Sequence, residues 1–347
     1  GRQTAATAAD WRADPHPQGL LRASSVPETS HRQLRALTRY RTQLVQQRAP
    51  VGHRLQKVLD DANIKLSSVV TDVLGVSGRA MLEALIAGET DGERLAQLAR
   101  GRMKSKEAAL EEALTGYLND HHRFLLRQQL ALFDFLSGQI EELNQQIAAQ
   151  IESMDEEPPP PPEAQEQNEL GQEEEKPGGS LTYTEAITLL DTIPGVDVRT
   201  AQVLVAEMGI DMARFPTAKH LAAWGGVAPG QNESAGKRRA AKSRHGNRSL
   251  RSALSQAAWA ASHTKESYLR AQFQHLAARR GKKRAIVAVG HSILVFAYHL
   301  LHKREPYREL GHDFFDQRKR DTTVRHLLRR LEKLGVEVTQ ATAAVAS

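Results

Sequence analysis

One serine, Ser234, lies at the start of a strongly basic stretch, NESAGKRRAAKSRHGNRSLR, at residues 232–251. Cations around a phosphate stabilise the charge that develops during phosphoryl transfer, and a serine hydroxyl can act as the attacking nucleophile. The stretch is therefore either a basic loop that only contacts phosphates or a loop that presents a nucleophile to a phosphodiester. Seven lysines and arginines follow the serine within seventeen residues: Lys237, Arg238, Arg239, Lys242, Arg244, Arg248 and Arg251.

Activation of this serine is the weak point of the catalytic interpretation. A serine hydroxyl is a poor nucleophile until a base or a metal ion removes its proton. His245 is the nearest histidine in the sequence, and no serine–histidine–aspartate spacing surrounds Ser234. The residue types alone therefore favour phosphate contact over catalysis.

Charge is distributed unevenly along the 347 residues. Residues 181–347 carry 27 lysines and arginines against 14 acidic residues, whereas residues 152–180 carry one lysine against ten acidic residues. The basic surplus predicts a polyanionic partner, most simply nucleic acid. The acidic, proline-rich segment cannot bury a core, so its composition predicts a disordered linker over 153–180.

Other features exclude several classes of protein. The chain contains no cysteine, which excludes disulfide bonds and cysteine-ligated zinc. The longest apolar run, AIVAVGHSILVFAYHLL at 285–301, is shorter than a usual membrane span, so it predicts a buried helix and no membrane partner. Small and polar residues rather than an apolar core follow Arg2, so no secretory signal is visible and we expect a cytoplasmic protein.

Helical periodicity predicts a mainly α fold. SHRQ predicts a capping box from Ser30 to Gln33 at the start of a helix that Pro50 should kink or break. A long helix is predicted from about 120 to 154, with an apolar seam that fits either a helix bundle or a coiled coil joining two subunits. The seam consists of Phe133, Leu136, Ile140, Leu143, Ile147, Ile151 and Met154.

The second half of the chain begins with another predicted capping box, from Thr182 to Glu185. Two short helices joined at Pro194–Gly195–Val196 look like a helix-hairpin-helix, whose turn can offer backbone N–H groups to a phosphate. Asp197 lies where such hairpins usually carry a second glycine, and its carboxylate would repel a phosphate. A phosphate site at Gly195 and an ordinary helical turn therefore both remain open.

Several stretches resemble a family of bacterial insertion-sequence transposases. They are residues 37–91, HHRFLL at 121–126, IPGVDVRTAQVLVAEMG, LAAWGGVAPGQNESAGKRR and HGNRSLRSALSQAAWAA. The family is the DEDD-type transposases with a serine domain at the C-terminus, whose better-known members are RNA-guided (bridge-RNA) recombinases. The resemblance covers about residues 1–150 and 181–310, and its motifs occur in the family's order.

The resemblance implies that Ser234 is a nucleophile that attacks a DNA phosphate and forms a covalent phosphoserine link. It implies DNA as a partner, a bridge RNA as guide in the RNA-guided members, and a homo-oligomer assembled through the coiled coil. It also implies Mg²⁺ held by four acidic residues of an α/β RuvC-like domain, two of which would precede Gly1. The predicted nucleic-acid contacts are the seven basic residues and Gly195.

The metal site is where the chain departs from the family. The stretch QTAATAA at 3–9 places Ala5 and Ala8 where two aspartates are expected, and Asp10 and Asp14 are out of register. No metal ligands are therefore identified, and we expect only a remnant of the RuvC-like domain and incomplete catalysis.

The sequence leaves two functions open. One function is a transposase or recombinase that moves an insertion sequence by serine-mediated phosphoryl transfer. The other is a non-catalytic remnant that binds nucleic acid and oligomerises.

The expected organisation of the chain has five parts. They are a RuvC-like remnant at 1–28, a helical region ending in a coiled coil at 29–152, the linker at 153–180, a helical, DNA-binding serine transposase domain at 181–320, and a C-terminal helix and tail at 321–347.

Overall fold

The computed structural model describes residues 27–156, 181–230 and 245–315, the backbone of 233–234 and 237–238, and a few residues between 324 and 334. Helices dominate this part of the chain, which confirms the predicted mainly α fold. The helices are α1 (Thr29–Asp61), α2 (Leu66–Val69), α3 (Val76–Ala87), α4 (Gly92–Ala96), α5 (Glu107–Leu114), α6 (Asp120–Glu156), α7 (Tyr183–Asp191), α8 (Val198–Met208), α9 (Ala218–Trp224), α10 (Arg248–Ala261), α11 (Tyr268–Arg280) and α12 (Lys282–Lys303). Shorter elements are the 3-10 helices Gly101–Lys106 and Met212–Arg214 and the strands β1 (Glu233–Ser234) and β2 (Lys237–Arg238).

Helices α1 and α6 form a long antiparallel pair within the chain. Arg48 donates to Ser137 Oγ at 3.2 Å, and further along α1 the carboxylate of Asp61 lies 3.1 Å from Nε2 of His122. Later residues of α1 thus meet earlier residues of α6. The buried residues of the α6 seam are Leu136, Ile140, Ile147, Ile151 and Met154, each at most 8% exposed.

This pairing favours the helix-bundle alternative for the α6 seam over a coiled coil that joins two subunits. Leu44 and Val51 of α1 pack with Leu136 and Ile140 of α6 in one hydrophobic cluster. Because α1 already covers the seam, a second subunit could reach it only by displacing α1. The seam is therefore an internal packing face of a helical bundle.

The starts of α7 and α1 test the two predicted capping boxes. The box at Thr182 is confirmed, since Glu185 N donates to Thr182 Oγ1 at 3.1 Å and Thr182 N donates to a Glu185 carboxylate oxygen at 3.0 Å. The box at Ser30 is wrong, because α1 begins at Thr29 and its N-cap, Glu28, lies two residues before Ser30 and makes no side-chain cap bond. Helix α1 also continues through Pro50, which is exposed, so water can hydrate the carbonyl that loses its partner.

The hydrophobic cores do not divide at the linker. The larger core combines residues of α7 to α12 with Leu34 of α1 and with Ile147, Ile151 and Met154 of α6. A separate core lies between residues 55 and 130 and contains fully buried Leu55, Leu66, Met81, Leu82, Leu95, Leu110 and Leu126. The end of α6 therefore packs with the second half of the chain, and the division into domains stays a prediction.

The two sides of the linker are also bonded to each other. The Asp155 carboxylate accepts from Tyr183 N at 2.5 Å, and from Thr184 N at 3.0 Å, at the start of α7. Residues 153–156 are helical and belong to α6 rather than to the linker. Residues 157–180, 1–26 and most of 321–347 lie outside the described residues, although 324–325 and 328–330 are helical as predicted.

The apolar run at 285–301 forms most of α12, as predicted. Within the described residues, α12 is the helix that is long and apolar enough to cross a membrane by length and composition. Half of its apolar window is buried inside the protein. Ala285, Val289, Ile293 and Leu294 are fully buried, which is the packing of a core helix.

Candidate nucleic-acid interface

Ser234 lies in a short β-hairpin. Strands β1 and β2 pair antiparallel, with Glu233 opposite Arg238 and Ser234 opposite Lys237. The backbone pairing thus brings the predicted nucleophile next to the first two predicted cations. The other cations of this segment, Arg239, Lys242 and Arg244, lie outside the described residues.

The chain segments before and after the hairpin meet at a crossing of glycines, which is called the hairpin base below. Gly225 and Gly226 precede the hairpin segment, and Gly246 follows it immediately before α10. A Cβ atom on Gly246 would lie 2.5 Å from both N and Cα of Gly226 and 2.6 Å from the carbonyl carbon of Gly225. Because only a residue without Cβ permits this approach, the two chain segments that carry the hairpin are held in contact.

Helix α10 continues the predicted basic surface. Its N-cap is Asn247, whose side-chain oxygen accepts from Leu250 N at 3.1 Å. Arg248 is exposed and Arg251 is half-buried at the start of this helix. These two predicted cations therefore lie on a rigid element that begins where the hairpin segment ends.

A buried carboxylate, Glu207 of α8, connects the hairpin base to α1. Glu207 is 1% exposed. Arg39 donates to both of its oxygens, from Nε at 2.7 Å and from Nη2 at 2.8 Å, and Asn247 Nδ2 donates to Oε2 at 2.5 Å. Burial alone would raise the pKa of Glu207, but the bonds from Arg39 and Asn247 and the charges of Arg39 and Arg35 hold it below the ordinary value.

Sequence reasoning missed Glu207. The available signal was one acidic residue inside the apolar run VLVAEM of α8. An acid at such a position is expected to be paired, because an unpaired buried charge is very costly. The partners themselves could not be read from the sequence, since they lie 168 and 40 residues away.

Arg35 and His31 extend this network along α1. Arg35 donates to the carbonyl oxygens of Ala206 at 3.0 Å and Glu207 at 3.1 Å, which places a cation at the end of α8. Nε2 of His31 lies 3.2 Å from Nη2 of Arg35. Burial, and then the charges of Arg35 and Arg214, lower the pKa of His31 to about 4, so the ring is neutral at neutral pH.

Mild acid is expected to destabilise the protein through His31. Its folded-state pKa of about 4 lies below the ordinary value of 6.5, so the unfolded chain binds the extra proton between these values. The contribution of neutral His31 to the free energy of unfolding is complete above pH 6.5 and is lost as the pH falls towards 4. When the ring is fully protonated, the loss is about 3 kcal/mol. Glu207, whose pKa is lowered from 4.5, adds its own loss only at still lower pH.

Chemical denaturation at about pH 7 and about pH 5 checks this expectation. The free energy of unfolding should fall less with acidification in the His31→Gln variant than in the parent chain. Equal losses in the two proteins would show that His31 titrates normally and that another group carries the dependence.

The predicted phosphate turn at Gly195 packs against α10. Gly195 has a φ of +84°, and a Cβ on it would lie 2.4 Å from Ala261 N, so packing alone requires the glycine. Asp197 caps α8, since Thr200 N donates to its Oδ1 at 2.8 Å. The carboxylate already occupies the position that an anion would take, which favours the ordinary-turn alternative. Phosphate binding at Gly195 stays a prediction.

A second basic surface lies where α11 ends and α12 begins. Its five cations, all exposed, are Arg279, Arg280, Lys282, Lys283 and Arg284. Among the described residues none of them forms a salt bridge. Cations in the first turn of a helix oppose its dipole, by about 0.3–1 kcal/mol each, so this arrangement suits an anionic partner.

The described residues do not fit the magnesium site that the resemblance implies. They contain no group of three or more histidines or acidic residues that could hold a metal ion. The buried acid Glu207 is already bonded to Arg39 and Asn247. Ala5 and Ala8 lie outside the described residues, and alanine offers no oxygen ligand to a hard cation.

Comparison with known proteins places one family on this region. Residues 187–274 match the model of the transposase IS116/IS110/IS902 family. The matched segment is about a quarter of the chain and includes Glu207, the Ser234 hairpin and Asn247. It supports an insertion-sequence transposase. A search of curated proteins finds no match.

Proposed function

We propose that the chain is a transposase of a bacterial insertion sequence that binds DNA in the cytoplasm through the Ser234 hairpin and the neighbouring helices. The observation that carries the proposal is the overlap of the family match at 187–274 with a hairpin that pairs Ser234 with Lys237. A solvated basic loop without function would not need the fixed base that Gly226 and Gly246 provide.

DNA contacts in this proposal are mainly contacts to phosphates. The proposed phosphate contacts are Lys237 and Arg238 of the hairpin, Arg248 and Arg251 at the start of α10, and the cations of the α11–α12 corner. Lysine and arginine neutralise phosphates irrespective of base sequence, and binding then releases counterions. Affinity should therefore depend steeply on salt.

Ser234 is the proposed nucleophile. Its Oγ would form a bond to a DNA phosphorus while the bond to the leaving sugar oxygen breaks, and the serine proton would end on that oxygen. Hairpin cations would stabilise the charge on the phosphoryl oxygens. No group of histidines and acidic residues that could hold a metal ion is found among the described residues. The chain alone is therefore proposed to bind DNA without cleaving it.

The proposal includes two further partners that rest on the resemblance. One is a guide RNA, and the other is a second copy of the chain. Because α1 covers the α6 seam, we expect assembly to use a different surface. The alternative function, a non-catalytic remnant that binds nucleic acid, shares the DNA contacts but gives Ser234 no chemical role.

Removing three hairpin cations is expected to weaken DNA binding and flatten its salt dependence. The variant replaces Lys237, Arg238 and Arg239 with alanine. Each lost phosphate contact should lower the slope of log affinity against log salt by about 0.9. Fluorescence titration of a duplex at several salt concentrations measures both quantities.

A matched control separates local contact from net charge. Replacing Arg54, Lys57 and Lys65 with alanine removes the same charge from the end of α1 and the residues after it. The control should bind almost as the parent does. Equal losses in the two variants would mean that the hairpin does not face DNA.

Ser234→Ala tests the chemical role in the same samples. The substitution should leave affinity unchanged, and neither protein should form a covalent adduct with DNA. An adduct that forms with magnesium in the parent and disappears in Ser234→Ala would establish the nucleophile and overturn the incomplete-catalysis proposal.

A further inference from the structure

We propose that Glu207 is a positioning residue, which sets the orientation of the Ser234 hairpin relative to α1 through Asn247. The inference rests on the proposed role of the hairpin and names the residues that hold it in place. It comes from one juxtaposition: a fully buried carboxylate that is bonded on one side to α1 and on the other to Asn247, the N-cap of α10 that follows Gly246.

Asn247 combines two functions through the two polar atoms of its amide. Its side-chain oxygen caps α10 by accepting from Leu250 N, while its Nδ2 donates to Glu207 Oε2. Aspartate could replace the cap, but it has no hydrogen to donate when it is ionised. The serine hydroxyl can also cap, but its side chain is one bond shorter, so we expect it to lose the bond to Glu207 while it caps the helix. The neighbouring Gly246 is pressed against Gly226, so the direction of the chain at this point fixes the hairpin base.

Arg39 supplies the α1 side of the connection. Its guanidinium binds both oxygens of Glu207 in a bidentate pair, although the arginine side chain is 47% exposed and the glutamate side chain is 0% exposed. A carboxylate without access to water cannot separate from its partners without a large penalty. A displacement of α1 against α8 should therefore move Glu207, Asn247 and the hairpin base together.

Arg41 provides a matched connection between the same helices that bypasses the hairpin. It is 5% exposed and donates to Gln202 Oε1 at 2.8 Å and to the carbonyl oxygen of Arg199 at 3.0 Å. Its described bonds do not include Asn247 or Glu207. Loss of Arg41 should weaken the packing of α1 on α8 without releasing the hairpin base directly.

Because the sequence contains no cysteine, a spin label can be attached at one introduced cysteine alone. Ala235→Cys places a single spin label beside Ser234 in the full chain. Asn247→Ser keeps the helix cap and removes the bond to Glu207, so it should shorten the rotational correlation time of the label about twofold. Glu207→Gln should act in the same direction, and Arg41→Gln should lower the melting temperature while leaving the label unchanged.

Two outcomes would overturn the inference. One is an unchanged label spectrum in Asn247→Ser, and the other is equal mobilisation by Arg41→Gln. If Glu207→Gln does not fold, Asn247→Asp serves in its place, since it keeps the cap and puts a second carboxylate beside Glu207. DNA affinity measured on the labelled parent is a separate readout. Loss of binding there would contradict the proposed function, and the label result would still decide the coupling.

Discussion

Replacing Ile147 with aspartate is expected to destabilise the protein by about 4 kcal/mol or more, rather than to separate subunits. Ile147 is fully buried in the core that joins the end of α6 to α7–α12. The substitution removes buried apolar surface and places a carboxylate where water cannot reach it. Since a domain's total stability is about 5–15 kcal/mol, the variant should lose a large share of it and unfold at a much lower urea concentration.

Urea denaturation of the parent and the variant measures this loss, and sedimentation of both measures assembly. Gln146→Asp is the control, because it adds the same charge one residue earlier on an exposed position of α6. It should change stability by about 0.5 kcal/mol or less. An Ile147→Asp protein that keeps its stability but sediments as a smaller species would restore the two-subunit coiled coil.

The second large effect is expected at the hairpin base. Gly246→Ala puts a Cβ atom 2.5 Å from N and Cα of Gly226, and backbone atoms cannot rotate away as a side chain does. The variant should lose about 2–4 kcal/mol of stability, or displace the hairpin, and in either case bind DNA more weakly. Urea denaturation and duplex titration together distinguish these two results.

Gly138→Ala is the matched control for this substitution. Gly138 lies within α6, and a Cβ on it would have no neighbour within 4 Å. Alanine should therefore stabilise the helix by up to about 1 kcal/mol. If Gly246→Ala instead retains the stability and the affinity of the parent, the crossing is looser than described and does not position the hairpin.

The α6 seam illustrates what periodicity predicts. It located the helix at about 120–154, close to Asp120–Glu156, and identified the face that is buried. It could not identify the partner, because an apolar repeat has the same spacing whether it meets another subunit or a helix of its own chain. The pairing with α1 depends on contacts such as Arg48 with Ser137, which are 89 residues apart.

Local chemistry was predictable where all the participating atoms are close in sequence. The capping box at Thr182 needs only Glu185 three residues later, and it forms. At Ser30 the same reasoning failed, because the choice of the first helical residue between neighbouring positions is not fixed by composition. The basic hairpin was located by its residues, whereas Glu207 and its partners Arg39 and Asn247 required the folded chain.

The hydrogen bonds between the start of α7 and Asp155 limit the structural role of the acidic segment that lies between them. Because Asp155 accepts from Tyr183 N and Thr184 N, the chain leaves the bundle and returns to it at one point. The acidic segment therefore closes a loop and does not act as a spacer between two separate domains. Doubling the length of a loop costs only about 0.6 kcal/mol. We therefore expect that sequence can be added, removed or exchanged within 157–180 while the shared core keeps its geometry.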